Sequence, residues 1–132
     1  MKIANKIQLI IPDSCVMLKW CVWEAEDREQ IVKMQDDFVH NDIQIAFPAI
    51  LEWELNNYLG RKLSEEEASR KYSYFKILQA TMALITLEMT GLAFKIMKKC
   101  PSVSFYDASY HAMALHMKGV FLTADKKYYD KA

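Results

Sequence analysis

The 132-residue sequence has few of the residues that break or staple a chain: three glycines, three prolines and three cysteines. So few breakers, against 52% hydrophobic residues, exclude a linker or low-complexity chain and indicate a compact, ordered one. Cys15, Cys21 and Cys100 are odd in number and lack CxxC spacing, which argues against a disulfide framework or a zinc knuckle and for a reducing cytosol. All three are expected to be buried, inert thiols. An excess of either charge is also missing. Seventeen Lys and Arg balance seventeen Asp and Glu, so no global positive field steers a polyanion, and any nucleic-acid contact must rest on local patches.

No apolar run approaches membrane-spanning length, and the N-terminal run stops at Pro12-Asp13, too short for a secretory signal core. No membrane association and a cytoplasmic location are therefore expected. A Gly-rich phosphate loop, a Gly-x-Ser-x-Gly elbow and a Ser/His/Asp order are likewise absent. By length the chain is one domain, residues 1–132, able to bury roughly 65–70% of its unfolded surface without a metal or disulfide staple.

What is present alternates. "KIQLIIP" (6–12) has strand character and leads into the helical pattern "SCVMLKWCVW". Ile31, Met34 and Phe38 mark a second amphipathic helix, "IQIAF" a second strand, and Pro48 the start of a helix that carries Glu54. Ser64 and Glu67 stand at capping-box spacing before the stripe Ala68, Tyr72 and Phe75. "ALITLE" (83–88) reads as a third strand, "GLAFKIMKKC" as a helix and Pro101 as its stop. "SFYDASYHAMALHM" is then a helix with Gly119 as its C-terminal cap, and "VFLTAD" a fourth strand. Strands separated by helices predict an α/β fold with a parallel sheet, whose ligands gather at the carboxyl ends of the strands.

Acidic residues interrupt this apolar pattern where that rule places a site. Asp13 and Asp125 each follow a strand, while Glu54 and Asp107 lie in the early turns of helices that can point to the same edge. Singly, Asp13 and Asp107 also suit helix capping and the helix dipole. Glu54 is harder to explain structurally, because Ile50, Leu51, Trp53, Leu55 and Tyr58 surround it in sequence and a buried acid needs a partner. Four converging carboxylates require protonation or divalent cations, and oxygen-only ligation selects Mg²⁺ or Mn²⁺ over Zn²⁺. Asn57, three residues after Glu54, is either a supporting group or an ordinary surface amide. A mixed site is the rival: Asp107 and His111 share a helix face at i, i+4. His40, His116, Tyr110, Met113 and Met117 read as bystanders or packing.

These segments resemble the PIN-domain nucleases and, within them, the VapC ribonuclease toxins, over nearly the whole chain. "IIPDSCVMLKW" resembles the family's opening strand, first Asp and apolar helix; "FPAILEWELNN" its Pro-led helix with Glu-x-x-Asn; "YDASYHAMALHMKGVFLTAD" its Tyr-Asp helix and closing Thr-x-Asp. The resemblance implies a three-layer α/β/α sandwich around a parallel sheet of about four strands. It also implies Asp13, Glu54, Asp107 and Asp125 as catalytic, metal-binding acids, Thr123 as a site-shaping hydroxyl and Asn57 as a supporting residue. Two departures stand out. Cys15 occupies a position where the family commonly has Ser or Asn, and the chain has only seven residues after Asp125, where many relatives add a further short strand.

The function so implied is a Mg²⁺- or Mn²⁺-dependent endoribonuclease that hydrolyses RNA phosphodiesters, the toxin of a toxin–antitoxin pair. Lys126 and Lys127 are the best-placed phosphate contacts, with Lys19, Arg61 and Lys62 behind them. The expected partners are RNA, a small antitoxin and a second copy of the chain. The aromatic set Trp20, Trp23, Trp53, Tyr58, Tyr72, Tyr74 and Phe75 exceeds what one small core needs and suggests an interface. A PIN-type nuclease outside a toxin pair and an inactive interaction module are the alternatives.

Overall fold

The computed structural model describes residues 7–22, 26–78 and 80–123. Apolar runs become strands where both their faces can be covered. In β1 (Gln8–Pro12) Ile10 and Ile11 point to opposite sides of the sheet, yet both are buried. β2 (Ile43–Pro48) repeats the pattern with Ile45, Ala46 and Phe47. Between them run α1 (Ser14–Cys21) and α2 (Arg28–Val39). After β2 come α3 (Ala49–Lys62), α4 (Glu65–Ile77), β3 (Thr81–Ala83), α5 (Leu87–Lys99), α6 (Phe105–Met117) and β4 (Val120–Leu122).

All strand pairs are parallel and the order is β3-β2-β1-β4, so the expected central sheet of four strands, flanked by six helices, is what forms. The winding reverses once. From β1 the chain steps to β2 and β3, then returns past both to place β4 on the far side of β1. A reversal of this kind opens a crevice between the carboxyl ends of the two strands where it occurs, here β1 and β4.

Several helices begin on a side-chain oxygen that accepts an otherwise unpaired amide: Asp13 for α1, Ser64 for α4, Thr86 for α5 and Ser104 for α6. The main core joins Ile11, Met17, Leu51, Leu55, Leu59, Tyr110 and Met113, all at 1% exposure or less. A second cluster lies where α5 meets α6. There Ala93, Ala108 and Ala112 are fully buried, and their small side chains let the two helices approach closely.

Four expectations need correction. The third strand is Thr81–Ala83 and not 83–88: Thr86 caps α5 through Met89 N, and Leu84, Ile85 and Leu87 are exposed. Gly119 is not the left-handed residue that ends α6. Lys118 takes that conformation (φ 57°), and Gly119 donates its amide to the Ala114 carbonyl. Glycine is required at 119 for a different reason, since a Cβ there would stand 2.9 Å from the Leu9 carbonyl oxygen of β1. Of the cysteines only Cys21 is buried, and burial pushes its thiol up to about 11; Cys15 is exposed and Cys100 half-buried. The aromatic surplus is only partly surface. Phe75 is buried against Phe47, Trp20 packs edge-on to Phe38, while Trp53 and Tyr74 are exposed and Trp23 lies outside the described residues.

Candidate active site

The crevice between β1 and β4 is closed at its floor by hydrogen bonds. The Asp13 amide donates to the Leu122 carbonyl at 3.0 Å, which extends the β1–β4 pairing by one residue. Asp13 is only 8% exposed, and both of its oxygens are engaged. Oδ1 accepts from the Val16 amide at 3.0 Å at the start of α1, and Oδ2 accepts from the Thr123 hydroxyl at the end of β4. Thr123 is thus the partner, across the β1–β4 seam, of an acid 110 residues earlier in sequence. A buried carboxylate so supported has its negative charge stabilised by an amide at a helix start and by a hydroxyl, and keeps a fixed orientation.

Glu54 enters from α3, half-buried, and Oε1 accepts from the Tyr110 hydroxyl at 2.6 Å. Tyr110 is 1% exposed, and its ring stacks on Phe121 of β4 at 16° between planes. Burial first, and then the hydrogen bond to the Glu54 carboxylate, hold its phenol well above the ordinary value, so it stays a protonated donor; Ser14 hydrogen-bonds the same hydroxyl and the Asp13 charge is felt there. Tyr110 thus links Glu54 to the Asp13–Ser14 turn.

Asp107 lies in the first turn of α6, exposed, with its amide on the Ser104 hydroxyl at 3.1 Å. It stands one turn before Tyr110 on the same helical face. Asp125, Lys126 and Lys127 lie outside the described residues, and among those described no group of three His, Cys, Asp or Glu is assembled to hold a metal ion. The donors present are carboxylate and hydroxyl oxygens, a set whose chemistry fits hard divalent cations.

The remaining candidates separate. Asn57 is exposed and accepts from Arg61 Nε at 3.2 Å. Lys19 pairs with Glu26 and Asp27 at 3.7 and 3.5 Å. His111 stacks on Phe121 at 16°, and burial lowers its pKa. His40 and His116 are exposed. Tyr110 and Ser14 are the groups that sequence reasoning missed. The available signals were the i, i+3 spacing of Tyr110 from Asp107 and the place of Ser14 directly after Asp13.

The sequence profile of the PIN domain matches residues 10–132, and the chain belongs to that family. Its fold is that of solved PIN-type proteins. VapBC2 of Rickettsia felis, solved on a DNA fragment from its promoter, superposes with a TM-score of 0.74 at 11% identity, over 94% of this chain and 92% of that one. FitAcB of Neisseria gonorrhoeae superposes at 0.73 with 14% identity, over 92% and 91%. VapC20 of Mycobacterium tuberculosis, a toxin that cleaves the sarcin–ricin loop, superposes at 0.69 with 12% identity, over 92% and 93%. No curated protein sequence matches the chain.

Proposed function

We propose that the chain is a divalent-metal-dependent endoribonuclease and the toxin of a toxin–antitoxin pair. The observation that carries this reading is the Thr123–Asp13–Val16 set of hydrogen bonds at the β1–β4 crevice, with Glu54 drawn towards the same turn by Tyr110. Asp13, Glu54, Asp107 and Asp125 would hold the cation, Mg²⁺ or Mn²⁺. Bound there, it would supply water activation and charge neutralisation at the phosphate. The protein's own part is to hold the Asp13 carboxylate aimed, through the Val16 amide and the Thr123 hydroxyl. Asp107, exposed at the start of α6, would meet the incoming strand side of the site, and Lys126 and Lys127 would contact its phosphates.

The relatives support the partners proposed. VapC20 is a toxin that cleaves the sarcin–ricin loop, and VapBC2 and FitAB were each solved on DNA. For this chain we infer an RNA substrate, a cognate antitoxin, a homodimer and a cytoplasmic location; no described helix is long and apolar enough to cross a membrane. A symmetric dimer would use the exposed aromatics, such as Trp53 and Tyr74.

The deciding experiment reads the ends of the cut. Hydrolysis by activated water leaves a 5′-phosphate and a 3′-hydroxyl and does not need the ribose 2′-hydroxyl, so a substrate with a 2′-deoxy sugar at the scissile position is still cleaved. A 2′,3′-cyclic phosphate, formed in chelator and insensitive to Asp125→Asn, would overturn the reading and direct attention to His111.

A further inference from the structure

Resting on the metal-nuclease reading, we propose that Tyr110 is a positioning residue: its hydroxyl presets the Glu54 carboxylate for the cation by occupying Oε1 and leaving Oε2 to the site. The geometry supports this from three directions. The donor–acceptor distance is 2.6 Å across 56 residues of sequence, so the bond links α6 to α3 and is no local turn contact. The ring cannot swing away, since it is 1% exposed and stacked on Phe121. Ser14 hydrogen-bonds the same hydroxyl, and the charge of Asp13, the residue before Ser14, is felt there.

A charged donor in that place would compete with the cation by neutralising Glu54. A phenol donates without adding charge, so Glu54 keeps its full negative charge and loses only its freedom to rotate. The same helix offers an internal control. Glu52 accepts from the Tyr72 hydroxyl, also at 2.6 Å, but Lys76 Nζ stands 2.9 Å from the same oxygen, and that pair has the makings of an ordinary structural bridge.

The test measures Mn²⁺ binding to the purified chain by titration calorimetry, alongside the Mn²⁺-induced rise in Tm. Tyr110→Phe, which keeps the ring and its packing, is expected to weaken Mn²⁺ binding roughly 10- to 100-fold, the scale for groups that orient metal ligands. Tyr72→Phe should leave it within about twofold, the level expected of a group remote from the ligands. Adding Tyr110→Phe to Glu54→Gln should cost nothing further, because the tyrosine acts only through that carboxylate. If Tyr110→Phe fails to fold, Ser14→Ala removes a partner of the same hydroxyl and should weaken Mn²⁺ binding in the same direction. Unchanged Mn²⁺ affinity in Tyr110→Phe, or losses that add in the double variant, would overturn the positioning role while Asp13→Asn still abolishes binding. A wild-type chain that binds no Mn²⁺ would overturn the metal reading itself and this proposal with it.

Discussion

Two tyrosine–glutamate pairs project from α3, and they differ in what stands behind the carboxylate. Tyr72–Glu52 and Tyr110–Glu54 have equal lengths of 2.6 Å. Behind Glu52 is a cation, Lys76, and the bond ties α3 to α4, its immediate neighbour in sequence. Behind Glu54, among the described residues, are a second carboxylate and a serine reached through Tyr110, and the bond ties α3 to α6. The first pair is complete as it stands. The second has a phenol and not a cation on its Glu54 oxygen, with the Asp13 charge felt at the same hydroxyl, an arrangement that suits a cation better than a matched pair does.

The sharpest test of that contrast removes charge at the floor of the crevice. Asp13→Asn should lower RNA cleavage by roughly 10³-fold or more and erase the Mn²⁺-induced rise in Tm, while Asp36→Asn on α2 should leave both intact. Exchanging the two glutamates in turn is the next test. Glu54→Gln is expected to reduce turnover by roughly 10²-fold with little change in Tm without metal, whereas Glu52→Gln should keep turnover and lose a little Tm. Equal losses of activity in both would dissolve the distinction between the pairs.

The smallest effect is in the acid limb of stability. The Tyr72 hydrogen bond, and then Lys76, lower the Glu52 pKa from its ordinary 4.5. The folded state therefore binds its proton less readily than the unfolded one. The stability this contributes is present above that ordinary value and is lost as pH falls through the lower folded value. Tm followed down to acid pH should show wild type and Glu52→Gln converging in that window.

The sequence carried the architecture well because its signals were strong ones. Two apolar runs in the middle of the sheet, and caps at Asp13 and Ser64, are local features that packing reinforces. β3 was misplaced because an edge strand is set by its partner: Thr81–Ala83 pairs with Ala46–Pro48, and the more hydrophobic stretch beside it has no strand to pair with. Gly119 was given the wrong duty because the approach of Leu9 is visible only once β1 and β4 are side by side. Glu54 was singled out by its Glu-x-x-Asn spacing, but what separates it physically from Glu52, namely Tyr110 against Lys76, comes from α6 and α4 and is not in the local sequence. A buried tyrosine reads as packing until the far end of its hydroxyl bond is known.

The Thr123–Asp13 bond spans 110 residues of sequence. During synthesis the chain emerges from its N-terminal end, so β1, β2 that pairs on its other side, and β3 that pairs with β2 are exposed to folding before Val120–Leu122 exists. Throughout that interval the nascent chain has Asp13 without its hydroxyl donor, β1 without its second neighbour and Tyr110 without the ring it stacks on. The crevice is therefore completed only when β4 arrives beside β1, and a ribosome making this chain is not confronted with a finished site before Thr123 has been added.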